Sequence, residues 1–191
     1  MQTGRNAKRL TVDEFERMDE EDGYRLSLVR GRVVREPAPG GRHGYVLGRL
    51  CAALDHRVQA IGQGVLYANV GVVIRTDPAT VRVPDLALYA RDQVADPWPD
   101  GFFRTPPHLA VEILSPSDRA RAMRAKVADY LGAGSRMVWV VNPRRRTVQV
   151  HRVGKPDVNL SEQDTLAGDD AFPGLHLPVK ELFALPGYDV R

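Results

Sequence analysis

The run Leu109-Ala110-Val111-Glu112-Ile113-Leu114 is apolar except for one carboxylate. Alternation along a strand puts Glu112 on the same face as Ala110 and Leu114, where an uncompensated charge costs several kcal/mol. A divalent cation is one compensation; a buried arginine, or a place at the strand's exposed end, is another. Asp85 follows Pro84 in Val83-Pro84-Asp85-Leu86-Ala87. Alone, Pro-Asp is a common turn leading into a strand. Paired with Glu112 on a neighbouring core strand, it supplies hard oxygen ligands for one magnesium or manganese ion, leaving positions for water and phosphate. Lys126 sits on the helix expected after Asp118, whose apolar face reads Ala120, Met123, Val127 and Leu131. The helical period sets Lys126 about a quarter turn from the centre of that face, on the flank of Arg119. From there its ammonium either reaches back over the sheet, to stabilise charge developing on a phosphate or orient water, or snorkels along the surface.

His43 follows a glycine-rich loop and heads the longest helical pattern. It is a candidate base or phosphate contact, or a surface histidine at a helix start. His56, His108, His151 and His176 have no metal-ligand spacing and are assigned no role. Tyr130 is read as core or as a cover over Lys126, and Trp139 as core. The loop Pro37-Ala38-Pro39-Gly40-Gly41 lacks the lysine and serine of a nucleoside-triphosphate loop.

Positioning these groups requires a mixed α/β (α+β) chain. Thr11 and Glu14 form a capping-box pattern that opens a helix to about Met18. Tyr24 to Val29 and Arg32 to Glu36 read as two strands joined at Arg30-Gly31. Apolar residues at Val46, Leu47, Leu50, Leu54, Val58 and Ile61 predict a helix over 43–61, stopped at Gly62. Strands are expected at 65–67, 71–75 and 83–89, with a proline- and aromatic-containing loop over 91–107. Leu109 to Leu114 and Met137 to Val141 read as central strands covered on both faces. Between them, Ser115 to Asp118 offers an N-cap for a helix to about Leu131. Thr147 to Val153 is a hairpin partner, and Asp170 to Phe183 a packed loop with a short helix near Lys180. Residues 1–9 are expected to be a disordered tail before one domain over 10–191.

Composition bounds the class. Of 191 residues, 43% are hydrophobic and 27% charged, as in a globular domain. Apolar runs are too short to span a bilayer, and no secretory signal pattern opens the chain, so a cytoplasmic protein without membrane contact is expected. A single cysteine, Cys51, excludes an internal disulfide and a multi-cysteine zinc site; its helical apolar setting suits packing. The net charge is +3, with acids concentrated over 13–22 and arginines clustered at 30–35, 119–124 and 144–146. Such clusters permit a polyanion partner without requiring one.

The order Pro84-Asp85, Glu112 in a core strand and Lys126 on the next helix resembles the restriction endonuclease family of the PD-(D/E)XK nuclease superfamily, in the variant whose lysine has migrated to the following helix. Leu28-Val29-Arg30-Gly31, His43, the run from Leu109 to Arg119, Tyr130, Met137 to Pro143 and the tail Phe172 to Phe183 carry the resemblance in order over nearly the whole chain. It implies a restriction-endonuclease-like mixed β-sheet core flanked by helices, and magnesium- or manganese-dependent hydrolysis of DNA. Asp85, Glu112 and Lys126 are then the catalytic positions, with Asp85 and Glu112 on the metal, and His43 and Arg119 are candidate nucleic-acid contacts. Cutting both strands would favour a homodimer. Two positions depart from the family: Ser27 stands where an acid usually precedes the Leu-Val-x-Gly turn, and Ala122 where an acid often precedes the lysine. These departures leave open a weakened or inactive nuclease-fold module that binds nucleic acid or a partner protein, and RNA remains an alternative substrate.

Overall fold

A computed structural model describes residues 8–94 and 100–185. Residues 1–7 of the expected tail, and part of the 91–107 loop, lie outside them. Along the chain run α1 (Val12–Glu16), β1 (Tyr24–Val29), β2 (Arg32–Pro37), α2 (Gly41–Ile61), β3 (Gly64–Ala68), β4 (Val72–Arg75), β5 (Thr80–Arg82) and β6 (Leu86–Ala90). After a short 3-10 turn come β7 (Leu109–Ile113), α3 (Ala120–Ala133), β8 (Met137–Asn142), β9 (Thr147–Arg152), β10 (Lys155–Leu160), β11 (Thr165–Ala167) and β12 (His176–Pro178).

The main sheet has the order β10-β9-β8-β7-β6-β3. Its centre is the parallel pair β7 and β8, connected through α3, and its other pairings are antiparallel. β7 is buried at every position, as a strand covered on both faces must be. Leu109, Val111 and Ile113 join the larger core with Val46, Leu50, Leu54 and Val58 of α2. Ala110 joins Met123, Val127 and Tyr130 of α3 on the opposite face. Glu112 therefore faces α3. A second sheet, β2-β1-β5-β4, packs Leu28 and Val81 against Val12 and Phe15 of α1. Its β1–β2 turn places Arg30 and Gly31 at φ 51° and 76°. Glycine suits position 31 because a Cβ there would lie 2.7 Å from the Arg9 Cβ.

Several expectations are corrected. The strand anticipated over 83–89 begins only at Leu86, as β6 of the main sheet; Thr80–Arg82 before it form β5 of the second sheet, which the sequence does not announce, and Val83-Pro84-Asp85 separates the two. Pro84 has no N–H for a ladder. The N-cap of α3 is Arg119, not Ser115 to Asp118; Asp118 instead closes its own turn, accepting from the Ser115 N–H at 2.6 Å. Ala120 is exposed, so the buried stripe of α3 is Met123, Lys126, Val127 and Tyr130. The 170–183 segment is not simply a packed loop: β12 pairs with β11 before a 3-10 turn at Val179–Leu182. β10 was not foreseen, because its exposed sequence lacks apolar alternation. Among the described residues, no helix is long and apolar enough to cross a membrane.

Candidate active site

The three expected residues come together between the two sheets and α3. Asp85 and Glu112 are 0% and 1% exposed, and Lys126 is 4% exposed. Asp85 sits where the chain passes from one sheet to the other. Its Oδ2 accepts the Ile113 N–H at 2.6 Å, tying it to the residue beside Glu112. Its Oδ1 lies 2.5 Å from Arg25 Nη1 and 3.2 Å from His43 Nε2. Glu112 is held from α3: Tyr130 donates its hydroxyl to Oε1 at 2.7 Å, and Lys126 Nζ donates to Oε2 at 3.0 Å. Positions 126 and 130, one turn apart, thus clamp the two oxygens of a single carboxylate.

Two members of the cluster escape a reading of the sequence. Arg25 on β1 and Glu36 on β2 are cross-strand partners, and Arg25 Nη2 lies 3.2 Å from Glu36 Oε2. The same Glu36 oxygen accepts from Lys126 Nζ at 3.0 Å. Both residues look like ordinary charges on a surface hairpin; only the packing of their sheet against α3, through β4, brings them in. Ser27 is buried on the Arg25 face of β1, and its hydroxyl has no partner. Arg119 is exposed at the N-cap of α3. Ala122 is exposed too. His43 is buried rather than on the surface.

The electrostatics follow from burial and pairing. Burial works to raise the Asp85 carboxyl, but the His43 hydrogen bond and the Arg25 charge outweigh it and hold Asp85 below the usual carboxylate range. Burial pushes Glu112 up, Lys126 offsets this only in part, and Asp85 adds to it. Burial alone would lower Lys126, yet Glu112 and Glu36 raise it and keep it a cation. The imidazole aside, three carboxyl groups, Asp85, Glu112 and Glu36, face two cations, Arg25 and Lys126, in a largely buried setting. Asp85 and Glu112 offer hard oxygen donors, so the donor set and its charge fit a magnesium or manganese ion. Among the described residues no three His, Cys, Asp or Glu groups form a preformed cage. A carboxylate pair, with water and substrate completing the shell, is the way magnesium is commonly bound.

The model of the Uma2 family, described as "Putative restriction endonuclease", matches residues 12–180. The chain belongs to that family, and its class is nuclease-like. The fold is similar to a crystal structure titled as a putative nuclease belonging to DUF820 from Anabaena variabilis ATCC 29413. That match has a TM-score of 0.79 at 21% identity, over 91% of this chain and 97% of that one. No curated protein matches.

Proposed function

We propose that the chain is a divalent-metal-dependent endonuclease that hydrolyses DNA phosphodiester bonds, with Asp85, Glu112 and Lys126 at its centre. The observation that carries this reading is the buried Asp85–Glu112 pair, tied through the Ile113 N–H and countered by Lys126 and Arg25. Asp85 and Glu112 would hold magnesium or manganese, which at such a site lowers the pKa of water and polarises a phosphoryl oxygen. Lys126, fixed by Glu112 and Glu36, is a rigid positive charge suited to a phosphate that gains negative charge. Tyr130 orients Glu112, and His43 and Arg25 orient Asp85. Action on both strands of a duplex would call for two copies of the chain, and a panel of DNA and RNA substrates separates the nucleic acids.

The deciding experiment is cleavage of supercoiled plasmid in magnesium by the purified protein and by Glu112→Ala. Wild-type nicking that Glu112→Ala loses is the expected result; equal cleavage by both proteins overturns the reading.

A second reading is favoured by Ser27, which stands in place of the family's acid, and by Arg25, which already occupies Asp85. In it the chain is a nuclease-fold module that binds nucleic acid or a partner without cutting. Calorimetry separates the two. Magnesium binding that depends on Asp85 and Glu112 supports the enzyme, and salt-sensitive DNA binding with no magnesium binding supports the module.

A further inference from the structure

A cleft of about 430 Å³ opens beside the acidic cluster at the start of α2. Gly40, Gly41, Arg42 and His43 form one wall, and the turn at Ser115 with the β8–β9 corner at Arg144 forms another. α2 is 21 residues long, and its N-cap, Gly40, has φ −81° and ψ 173° with no side chain accepting from the first turn. That turn contains no acid. The first described bond of the helix ladder runs from the Gly44 N–H to the Gly40 carbonyl at 3.1 Å. The N–H groups of Gly41, Arg42 and His43 precede it and have no partner within the helix. A Cβ at Gly40, Gly41 or Gly44 would meet nothing within 4 Å. Packing does not demand these glycines, and they leave the backbone open to close approach.

His43 points to a ligand independently of the helix end. It lines this cleft at only 5% exposure. Its Nε2 faces Asp85, and its Nδ1 has no hydrogen-bond partner. A buried polar atom without a partner is costly, and a ligand oxygen, or the water it carries, would satisfy it. Arg42 and Arg144 flank the opening. Asp118 is the one acid in the lining, and its Oδ2 is engaged by the Ser115 N–H and hydroxyl at 2.6 and 3.2 Å.

We propose that this cleft is a phosphate-binding subsite for a nucleic-acid strand: the helix start and two arginines take a backbone phosphate adjacent to the one presented to Asp85 and Glu112. His43 joins the two places: its Nε2 lies 3.2 Å from Asp85 Oδ1, and the residue, with its unpartnered Nδ1, lines the subsite. The position along the strand rests on the nuclease reading; the phosphate chemistry does not.

The test measures binding of a short fluorescein-labelled DNA strand by anisotropy in EDTA, so that cleavage plays no part. Gly40→Asp places a carboxylate in N-cap geometry, where it caps α2 and covers the same N–H groups. Its melting temperature is expected to match or exceed wild type, while DNA affinity falls about tenfold and the salt slope shrinks by about 1. Arg144→Ala is expected to weaken binding in the same direction. Gly48→Asp adds the same charge two turns along α2, at an exposed position that also meets nothing within 4 Å, and is expected to stay within about twofold of wild type. Equal affinities for Gly40→Asp and wild type, equal losses in the two aspartate variants, or no DNA binding by wild type would overturn the subsite. Comparing strands with a 5′-phosphate and a 5′-hydroxyl assigns the bound group: equal affinity means an internal phosphodiester, and tighter binding of the former a terminal phosphate. Failure of the nuclease reading shows separately, in the plasmid assay with Glu112→Ala.

Discussion

Arg25 and Asp85 lie 60 residues apart in sequence, and the guanidinium of one meets the carboxylate of the other at 2.5 Å. The contact joins the two sheets at the point where the chain crosses between them. It also gives the acidic cluster a resident cation, since Arg25 bonds Glu36 with its other nitrogen.

Removing that cation leaves Asp85 buried without its guanidinium partner. Arg25→Met keeps much of the side-chain volume and is expected to cost about 2 kcal/mol, below the range for fully buried pairs because Arg25 is 22% exposed. Magnesium should return part of the loss, since a second cation can then neutralise Asp85 and Glu112. The check is the melting temperature of both proteins in EDTA and in magnesium. A magnesium shift no larger in Arg25→Met than in wild type would count against competition between arginine and metal for these carboxylates.

Stability should depend on pH through two limbs of opposite sign. Glu112 holds its proton more tightly in the fold than in the unfolded chain. Its contribution is therefore full below the ordinary value of 4.5 and is lost as pH rises through the raised value. Asp85 behaves oppositely: its contribution is present above the ordinary value of 3.8 and is lost as pH falls through the lowered one. Denaturant midpoints measured across pH in EDTA should show Glu112→Gln flattening the limb above 4.5. Asp85→Asn should flatten the limb below 3.8. An unchanged upper limb in Glu112→Gln would mean that Glu112 ionises in the fold as easily as in water.

How much of this was legible in the sequence depends on how local the signal is. Glu112 breaks an apolar strand, and the alternation that put it on the Ala110 face is the same one that turns it toward α3. The long helix appears almost as its periodicity draws it, from Gly41 to Ile61. Lys126 was placed beside the apolar stripe of its helix; in the fold it belongs to that stripe, because the second sheet brings Glu36 down to meet it. Arg25 and Glu36 gave no local sign. Their roles arise from contacts across 60 and 90 residues, and a charged hairpin with solvent-like composition reads the same whether or not another sheet lies beneath it. The sequence marks Tyr130 as core or cover, and its hydroxyl bond to Glu112 depends on a packing distance that periodicity does not supply.

Tyr130→Phe isolates that bond. The ring stays in its buried place, and Glu112 Oε1 loses its donor, at a cost of about 1–3 kcal/mol. The hydroxyl also helps lower Glu112 against the larger effect of burial, so its removal raises the carboxyl further. Magnesium binding requires the ionised form, and its onset should move to higher pH in the variant. Calorimetric titrations at a series of pH values read this directly; a lower affinity with the onset unmoved would show that Tyr130 only packs.

Ser27→Glu introduces the acid that the family resemblance leads one to expect at this position. Ser27 shares the face of β1 that carries Arg25 toward Asp85, is 4% exposed, and has a hydroxyl without a partner. A carboxylate at that position adds a hard oxygen ligand beside the Asp85–Glu112 pair. Without metal it is one more buried charge drawing on Arg25 alone, and the variant should melt below wild type in EDTA. With magnesium the order should reverse, with about tenfold tighter binding by calorimetry, because the cation is then shared among three carboxylates rather than two. If affinity stays the same while the EDTA destabilisation appears, the β1 face does not reach the cation, and Ser27 is a packing substitution rather than a lost ligand.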